Sequence, residues 1–422
     1  MKKLRIGIFG AGRGVDVSRD FRMLDCEIVA LCDNIPERLQ YGAERVGEGV
    51  TLYDSFDDFI NHPMDAVVVA NYFHEHAPFA IRLLERGISV YCECLVNGTM
   101  ADGVALIRAA EKSSAVFMLA ENYPGMCVNQ EMHRICKGGT LGQILYAEGE
   151  YNHPVDPYDA SFHKTYIYEP YHWRNFLPRG YYVTHSLGPI MYATGALPKR
   201  VVSMASFAPF PNDCPKATFV GDRVAQIMTQ NDDGSVFRFT GCAAYGAHHN
   251  AYRICGTNGQ VENVRGMEEK IMLRYSPWMT PEGQESTQFY TPAWQEDINP
   301  EAVKTSGHAG GDFVMARVFK KCVEEGVQPP FPFDVHSAVA MSSVAILGHR
   351  SMLEGGTPYD IPDFHNEEDL IKYENDRLTP FYGENGEEPT LPCCSHPDFT
   401  PSEQERAKYK KILETDYSEA EK

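Results

Sequence analysis

No stretch of the 422-residue chain holds about 18 consecutive apolar residues, the length a membrane-spanning helix needs. Positive charge is scarce as well. There are 38 Lys and Arg against 58 Asp and Glu, a formal net charge of −20, and no Lys/Arg block. Such a surface repels phosphates, which argues against a nucleic-acid partner. The opening MKKLRIGIFGAG leaves no room for the apolar core and cleavage site of a signal peptide. Cysteine is not lacking, since there are twelve, but paired spacing is. Cys26, Cys32, Cys92 and Cys255 fall in apolar runs, where a thiol reads as a small buried hydrophobe. A reduced, cytoplasmic, soluble protein is the expectation. Hydrophobic content of 43% and charged content of 23% are those of a folded chain, whose length fits two domains and a tail.

What is present begins with LRIGIF (4–9), a short apolar run that ends at Gly10-Ala11-Gly12-Arg13-Gly14. The runs EIVALCD, DAVVVAN, ISVYCE and AVFMLAEN follow, interleaved with HAPFAIRLLERG and MADGVALIRAAEKS, which have helical spacing. Apolar strands alternating with helices predict a parallel sheet covered on both faces. Asp33 stands 23 positions after Gly10. Glycines that admit a pyrophosphate, a helix N-terminus behind them and a carboxylate for ribose hydroxyls make a dinucleotide fingerprint. The acid repels a 2′-phosphate and so favours NAD over NADP. In one place the fingerprint departs: Val15 stands where the third glycine is expected, and Gly14 comes one position early.

After HRICKGGTLGQI (133–144) the pattern becomes one of successive strands: LYAEGEYNH, RVVSMASFA, VAQIMTQ, SVFRFTGCA, YRICGTNGQVEN and KIMLRYS. DDG and TNG serve as turns. An α+β domain with an open, mostly antiparallel sheet is predicted. Two helices follow, GGDFVMARVFKKCVEEG and DVHSAVAMSSVAILGHRSMLEGG. The expected boundaries are 1–123 for an α/β Rossmann domain, 124–363 for the second domain and 364–422 for a polar surface tail. PCCSHP, with Cys393, Cys394 and His396, has no second ligand pair and reads better as a loop than as a metal site. No metal is expected.

The glycine turn, the Glu93-Cys94-Leu95 turn, the entry Gly139-Thr140-Leu141-Gly142, SGHAGGDF (306–313) and GGTPYDIPDF (355–364) together resemble the Gfo/Idh/MocA oxidoreductase superfamily. The resemblance covers nearly the whole chain to about residue 363. In that superfamily the turn usually reads Glu-Lys-Pro, and its lysine handles protons; here Cys94 and Leu95 replace lysine and proline. The dehydrogenases also carry an Asp and a His in a Gly-Gly-x-x-x-Asp-x-Gly-x-His pattern, and those positions are Thr184 and Gly188 in RGYYVTHSLGP (179–189). That stretch, Tyr-x-Thr-His-x-Leu-Gly-Pro, is similar to the motif of the superfamily's NAD-dependent glycosidases of the α-N-acetylgalactosaminidase type.

The resemblance implies bound NAD and transient oxidation at sugar C3. Elimination at C1, water addition and re-reduction follow, on small glycosides. Its catalytic residues would be His185, Tyr182 and Glu93. Its cofactor would meet Gly10, Gly12, Arg13, Gly14, Asp33, Asn71, His76, Glu93 and Asn122. A homo-oligomer, dimer or tetramer, is implied in the same way. Two competing functions stay open: a sugar or inositol dehydrogenase that uses His185, and a non-catalytic NAD-binding sensor.

The residue types suit the glycosidase chemistry. His185 titrates near neutrality without help. Tyr182 relays or donates a proton if a cation lowers its pKa, and Glu93 ends a strand where it can face both ligands. Each has an ordinary reading beside the functional one. His185 can be a hydrogen-bonded buried histidine, Tyr182 or its neighbour Tyr181 core, Glu93 a strand-end carboxylate, and His76, near His74, a helix cap. The segment FHKTYIYEPYHWRNF (162–176) is either a sugar-stacking wall or a packed interface. In the first case His172, Trp173 and Arg174, with Thr184, contact the substrate. His163 and His172 joining His185 around a metal match no ligand spacing.

Overall fold

The computed structural model describes residues 3–154, 156, 172–210, 219–294, 297–383, 386–400 and a few positions beyond. His163 and most of the 162–176 segment lie outside the described residues.

The first third alternates as its apolar runs predict. Strands β1 (Arg5–Phe9), β2 (Glu27–Cys32), β3 (Thr51–Tyr53), β4 (Ala66–Val69), β5 (Ser89–Cys92) and β6 (Phe117–Leu119) form one six-stranded sheet in the order β3-β2-β1-β4-β5-β6. Every pairing in it is parallel. Its central strands are buried on both faces, which is why they lack period-2 alternation. Helices α1 (Arg13–Met23), α2 (Pro36–Val46), α3 (Phe56–Phe59), α4 (His76–Glu85) and α5 (Met100–Lys112) are the crossovers. The Thr99 hydroxyl caps α5 by accepting from the Asp102 amide.

Helix α6 (Cys127–Lys137) leads into β7 (Ile144–Asn152). Helix α7 (Thr184–Thr194) follows, then β8 (Pro198–Phe207), β9 (Asp222–Asn231), β10 (Val236–Ala243), β11 (His249–Gly256), β12 (Gly259–Val264), β13 (Met267–Tyr275) and β14 (Thr287–Tyr290). With β15 (Tyr359–Asp360) they build a nine-stranded sheet, β14-β13-β12-β11-β7-β10-β9-β8-β15. All its pairs are antiparallel except β10 with β7. The two edge strands β14 and β15 escape the sequence reading because they are too short to show a period.

Helices α8 (Pro300–Thr305), α9 (Gly311–Glu325) and α10 (Val335–Leu353) return the chain to the first sheet. The last is buried along almost its whole length. In the stretch expected as a surface tail, the described residues 364–383 and 386–399 include helix α11 (Glu367–Tyr373) and a strap that runs back over the molecule. Leu370, Phe381 and Cys394 in it are buried. Arg350 donates to Asp376 at 2.5 and 2.8 Å, and the His349 ring bonds to the Pro392 carbonyl at 2.7 Å. The polar composition hid these few anchors. Among the described residues no helix is long and apolar enough to cross a membrane.

Candidate active site

The site lies where the parallel strands end. Past β1, Gly10 has φ of 102°, and a Cβ there would meet the Ala70 carbonyl oxygen at 2.3 Å, so only glycine fits. Gly12, Arg13 and Gly14 carry the chain into α1. Asp33, just past β2, accepts from the amides of Ala11 (2.7 Å) and Ile35 (2.9 Å), while burial pushes its carboxyl up. Past β4, both amide atoms of Asn71 are buried without a hydrogen-bond partner. Asn122 leaves its Oδ1 unmet in the same way, while its Nδ2 donates to Asp312 at 2.8 Å. Buried amide atoms with no protein partner, beside a glycine cradle and a strand-end carboxylate, fit a dinucleotide.

Arg13 is held more tightly than its place in the loop suggests. It donates to Glu93 at 3.0 Å and, through both terminal nitrogens, to Asp312 at 2.9 and 2.6 Å. The His308 ring also donates to Asp312, at 3.0 Å. Burial works against the Asp312 charge, but His308 and Arg13 outweigh it and hold the carboxyl well below its ordinary range. Glu93 goes the other way: burial pushes it up in spite of Arg13. His76 sits inside the wall. Its ring nitrogens face the carbonyls of Leu95 (2.6 Å) and Asn71 (3.2 Å), and burial pushes it down to about 4. As a neutral ring it donates to one of these carbonyls and lies buried between the two strand ends.

His185 lies in the first turn of α7, whose Pro189 is four residues on. Proline has no N–H, so the His185 carbonyl has no helical donor. The Tyr252 hydroxyl takes that place at 2.6 Å. The imidazole Nδ1–H donates to Glu121, at 2.8 Å to Oε1 and 3.0 Å to Oε2. The His185 side chain is 9% exposed and that of Glu121 beneath it 0%. Tyr123, Tyr151 and Tyr182 surround it, with ring centroids at 4.3, 4.9 and 5.1 Å. Tyr182 stacks along Tyr151 at 5.9 Å; burial pushes its phenol up to about 12, and Arg174 only moderates this. Tyr181 is core, packed on Phe73, Phe381 and His349. Tyr182, Thr184 and Cys94 line one small cavity.

The structure therefore gathers Glu93, Tyr182, Thr184 and His185 at one mouth, and brings Arg174 into the electrostatic range of Tyr182. His172 and Trp173 turn toward the first domain instead. His172 packs edge-on to Tyr72 at 4.9 Å, and burial pushes it down to about 2. Trp173 lies against Phe73 at 4.7 Å, with Arg174 over its ring. The thiols of Cys393 and Cys394 donate to the carbonyls of Phe219 and His396, at 3.2 and 3.3 Å. Among the described residues no group of three or more metal-ligating side chains converges. Sequence reasoning missed Glu121, Asp312 and Tyr151. A usable signal existed for Glu121 alone: it follows a parallel strand at its carboxyl end, where such folds place their sites.

Fold and mouth define an oxidoreductase-type protein with an NAD-binding Rossmann domain. Residues 4–121 match the oxidoreductase family, NAD-binding Rossmann fold, and residues 129–369 match the glycosyl hydrolase 109 C-terminal domain. The chain belongs to glycosyl hydrolase family 109. A family 109 protein of Stenotrophomonas maltophilia is 22% identical over 415 residues, covering 86% of this chain and 89% of that protein. One from Bacteroides fragilis is 25% identical, covering 86% and 85%. Among solved structures, levoglucosan dehydrogenase in complex with NADH and levoglucosan superposes with a TM-score of 0.70 at 17% identity, covering 86% of this chain and all of that one. An oxidoreductase domain protein from Kribbella flavida gives 0.72 at 18%, with the same coverage. These two likenesses concern the fold.

Proposed function

We propose that the protein is an NAD-dependent glycosidase that opens small glycosides by transient oxidation of the sugar, without the pair of flanking carboxylates of ordinary glycosidases. The observation that carries this reading is the environment of His185: a carboxylate behind it, a protonated phenol beside it, and no lysine in the turn after β5. Asp33 holds the adenosine ribose, the Gly10–Gly14 loop the pyrophosphate, and Asn71, Asn122 and Glu93 the nicotinamide half. NAD supplies reversible hydride chemistry at C3, so that a full cycle leaves it unchanged.

Glu93, with its raised pKa, accepts the C3 hydroxyl proton. A carbonyl at C3 acidifies the C2–H, and His185 takes that proton on Nε2, the nitrogen Glu121 leaves free. Tyr182 donates to the C1 oxygen as it departs; with its pKa near 12 it is a phenol, not a phenolate, at neutral pH. Water adds back at C1 and gives its proton to the Tyr182 phenolate, the proton on His185 returns to C2, and Glu93 gives back the C3 proton. Each group ends as it began.

The test is a panel of α- and β-nitrophenyl glycosides, with phenolate release and absorbance at 340 nm followed together. Phenolate without net reduced cofactor is the expected outcome, with a loss of about 10²–10⁴-fold in His185→Ala. Stoichiometric reduction without phenolate makes the protein a sugar dehydrogenase. Cofactor binding with neither signal makes it a sensor.

A further inference from the structure

We infer that Cys94, Glu121 and Gly188 are one positioning unit for His185: Gly188 makes room for the carboxylate, the Cys94 thiol caps it without cancelling its charge, and the carboxylate sets the imidazole with Nε2 toward the substrate. The inference rests on the reading of His185 as the group that moves the C2 proton.

Glu121 is an expensive residue to bury, and its full burial calls for donors. It receives the His185 ring N–H, the Tyr123 backbone amide at 3.2 Å and the Cys94 thiol at 3.2 Å, and Thr184 also favours its charge. An ionised carboxylate only accepts, so the neutral imidazole carries its proton on Nδ1 and keeps a lone pair on Nε2. Burial alone would push Glu121 up, yet His185 outweighs it and the carboxyl stays below its ordinary value. The backbone of His185 is fixed separately by Tyr252, so what Glu121 controls is the ring.

Position 94 decides how much of that charge reaches the histidine. Burial pushes the thiol well up, so Cys94 is a neutral S–H donor. It satisfies one lone pair and leaves the negative charge for His185. An ammonium at this place would form an ion pair with the same carboxylate and withdraw it from the imidazole. Position 188 decides whether Glu121 fits at all: a Cβ on Gly188 would lie 2.8 Å from the Glu121 Cγ. Of the three positions that lack the dehydrogenases' proton handlers, 94, 184 and 188, the first and last converge on one carboxylate, and Thr184 acts on it as well. Of the other groups facing the ring, Tyr123, Tyr151 and Tyr182 are raised phenols and Glu93 is engaged by Arg13. Glu121 is the only charge in contact with His185 among the described residues.

The test reads the histidine directly, by ¹⁵N NMR titration of the purified protein. Wild type should show Nδ1–H in the neutral form. Glu121→Gln keeps an oxygen acceptor and loses the charge, so the His185 midpoint should fall by about 1–3 pH units. The acid limb of kcat/KM should move down with it, while the NAD dissociation constant stays put. Cys94→Lys and Gly188→Ala should lower the midpoint in the same sense, and Cys94→Ser should leave it near wild type. A midpoint unchanged in both Glu121→Gln and Cys94→Lys overturns the inference, as does an Nε2–H tautomer in wild type. If Glu121→Gln is not recovered folded, Cys94→Lys decides alone. The NMR result stands whether or not any glycoside is turned over, so this inference and the proposed function fail separately.

Discussion

Asp33 binds two backbone amides of its own chain, at the place where a ribose diol would compete for the same oxygens. Asp33→Ser should weaken NAD by roughly tenfold or more, about 1.4 kcal/mol, and shrink the preference over NADP. Isothermal titration with both cofactors checks this, and an unchanged ratio would remove Asp33 from the ribose. At this scale the sequence was informative where a motif fixes spacing: Asp33 meets the glycine turn through the Ala11 amide, and Tyr182 lies against His185. It was silent where contact spans distant segments. Glu121 lies 64 positions from His185, and nothing in LAEN says that its carboxylate turns under that ring. His76 shows the opposite failure. It sits at a ligand-facing place in the motif, but its ring is buried between two backbone carbonyls.

Helix α9 carries Asp312 in its first turn, a residue that read only as part of HAGGDF. Its carboxylate gathers Arg13 from the glycine loop, Asn122 from beyond β6 and His308 from its own approach, so one side chain fastens the second domain to the first. Asp312→Ala should cost up to about 3 kcal/mol in chemical denaturation, tempered because Arg13 retains Glu93. Its folded pKa is depressed, so its stabilisation is complete above the ordinary Asp range, near pH 4. The contribution fades only in stronger acid, as pH falls through the folded value. A wild-type minus variant difference that is flat from pH 8 to 5 and collapses below is therefore expected. The elements themselves were largely legible, because long apolar or alternating runs carry their own period. Their assembly across a buried carboxylate was not.

Across the whole molecule, the largest gap between composition and structure is the C-terminal strap. Phe381 packs against Phe73 and His74 at 5.0 Å each and against Tyr181 at 5.3 Å, directly behind the cavity that holds Tyr182. Phe381→Ala should destabilise by about 3–5 kcal/mol. A chain ended after Asp363 should melt earlier and bind a hydrophobic dye, since Phe73 and Tyr181 lose their cover. Equal melting temperatures would mean that the strap only rests on the surface. A polar, proline-rich sequence hid this role because a few scattered anchors hold its described residues.

The chain has three tryptophans, and their placement gives them different optical lives. Trp278 is 80% exposed, and Trp294 lies beside Gly310, packed with Phe313 and Val314 of α9. Trp173 alone packs on Phe73, two residues from the orphaned Asn71 amide. Its emission overlaps the absorbance of reduced nicotinamide and not that of the oxidised form. A Trp278→Phe, Trp294→Phe protein would therefore carry a built-in light meter: dimming of Trp173 during turnover would count the molecules paused in the oxidised-sugar half of the cycle.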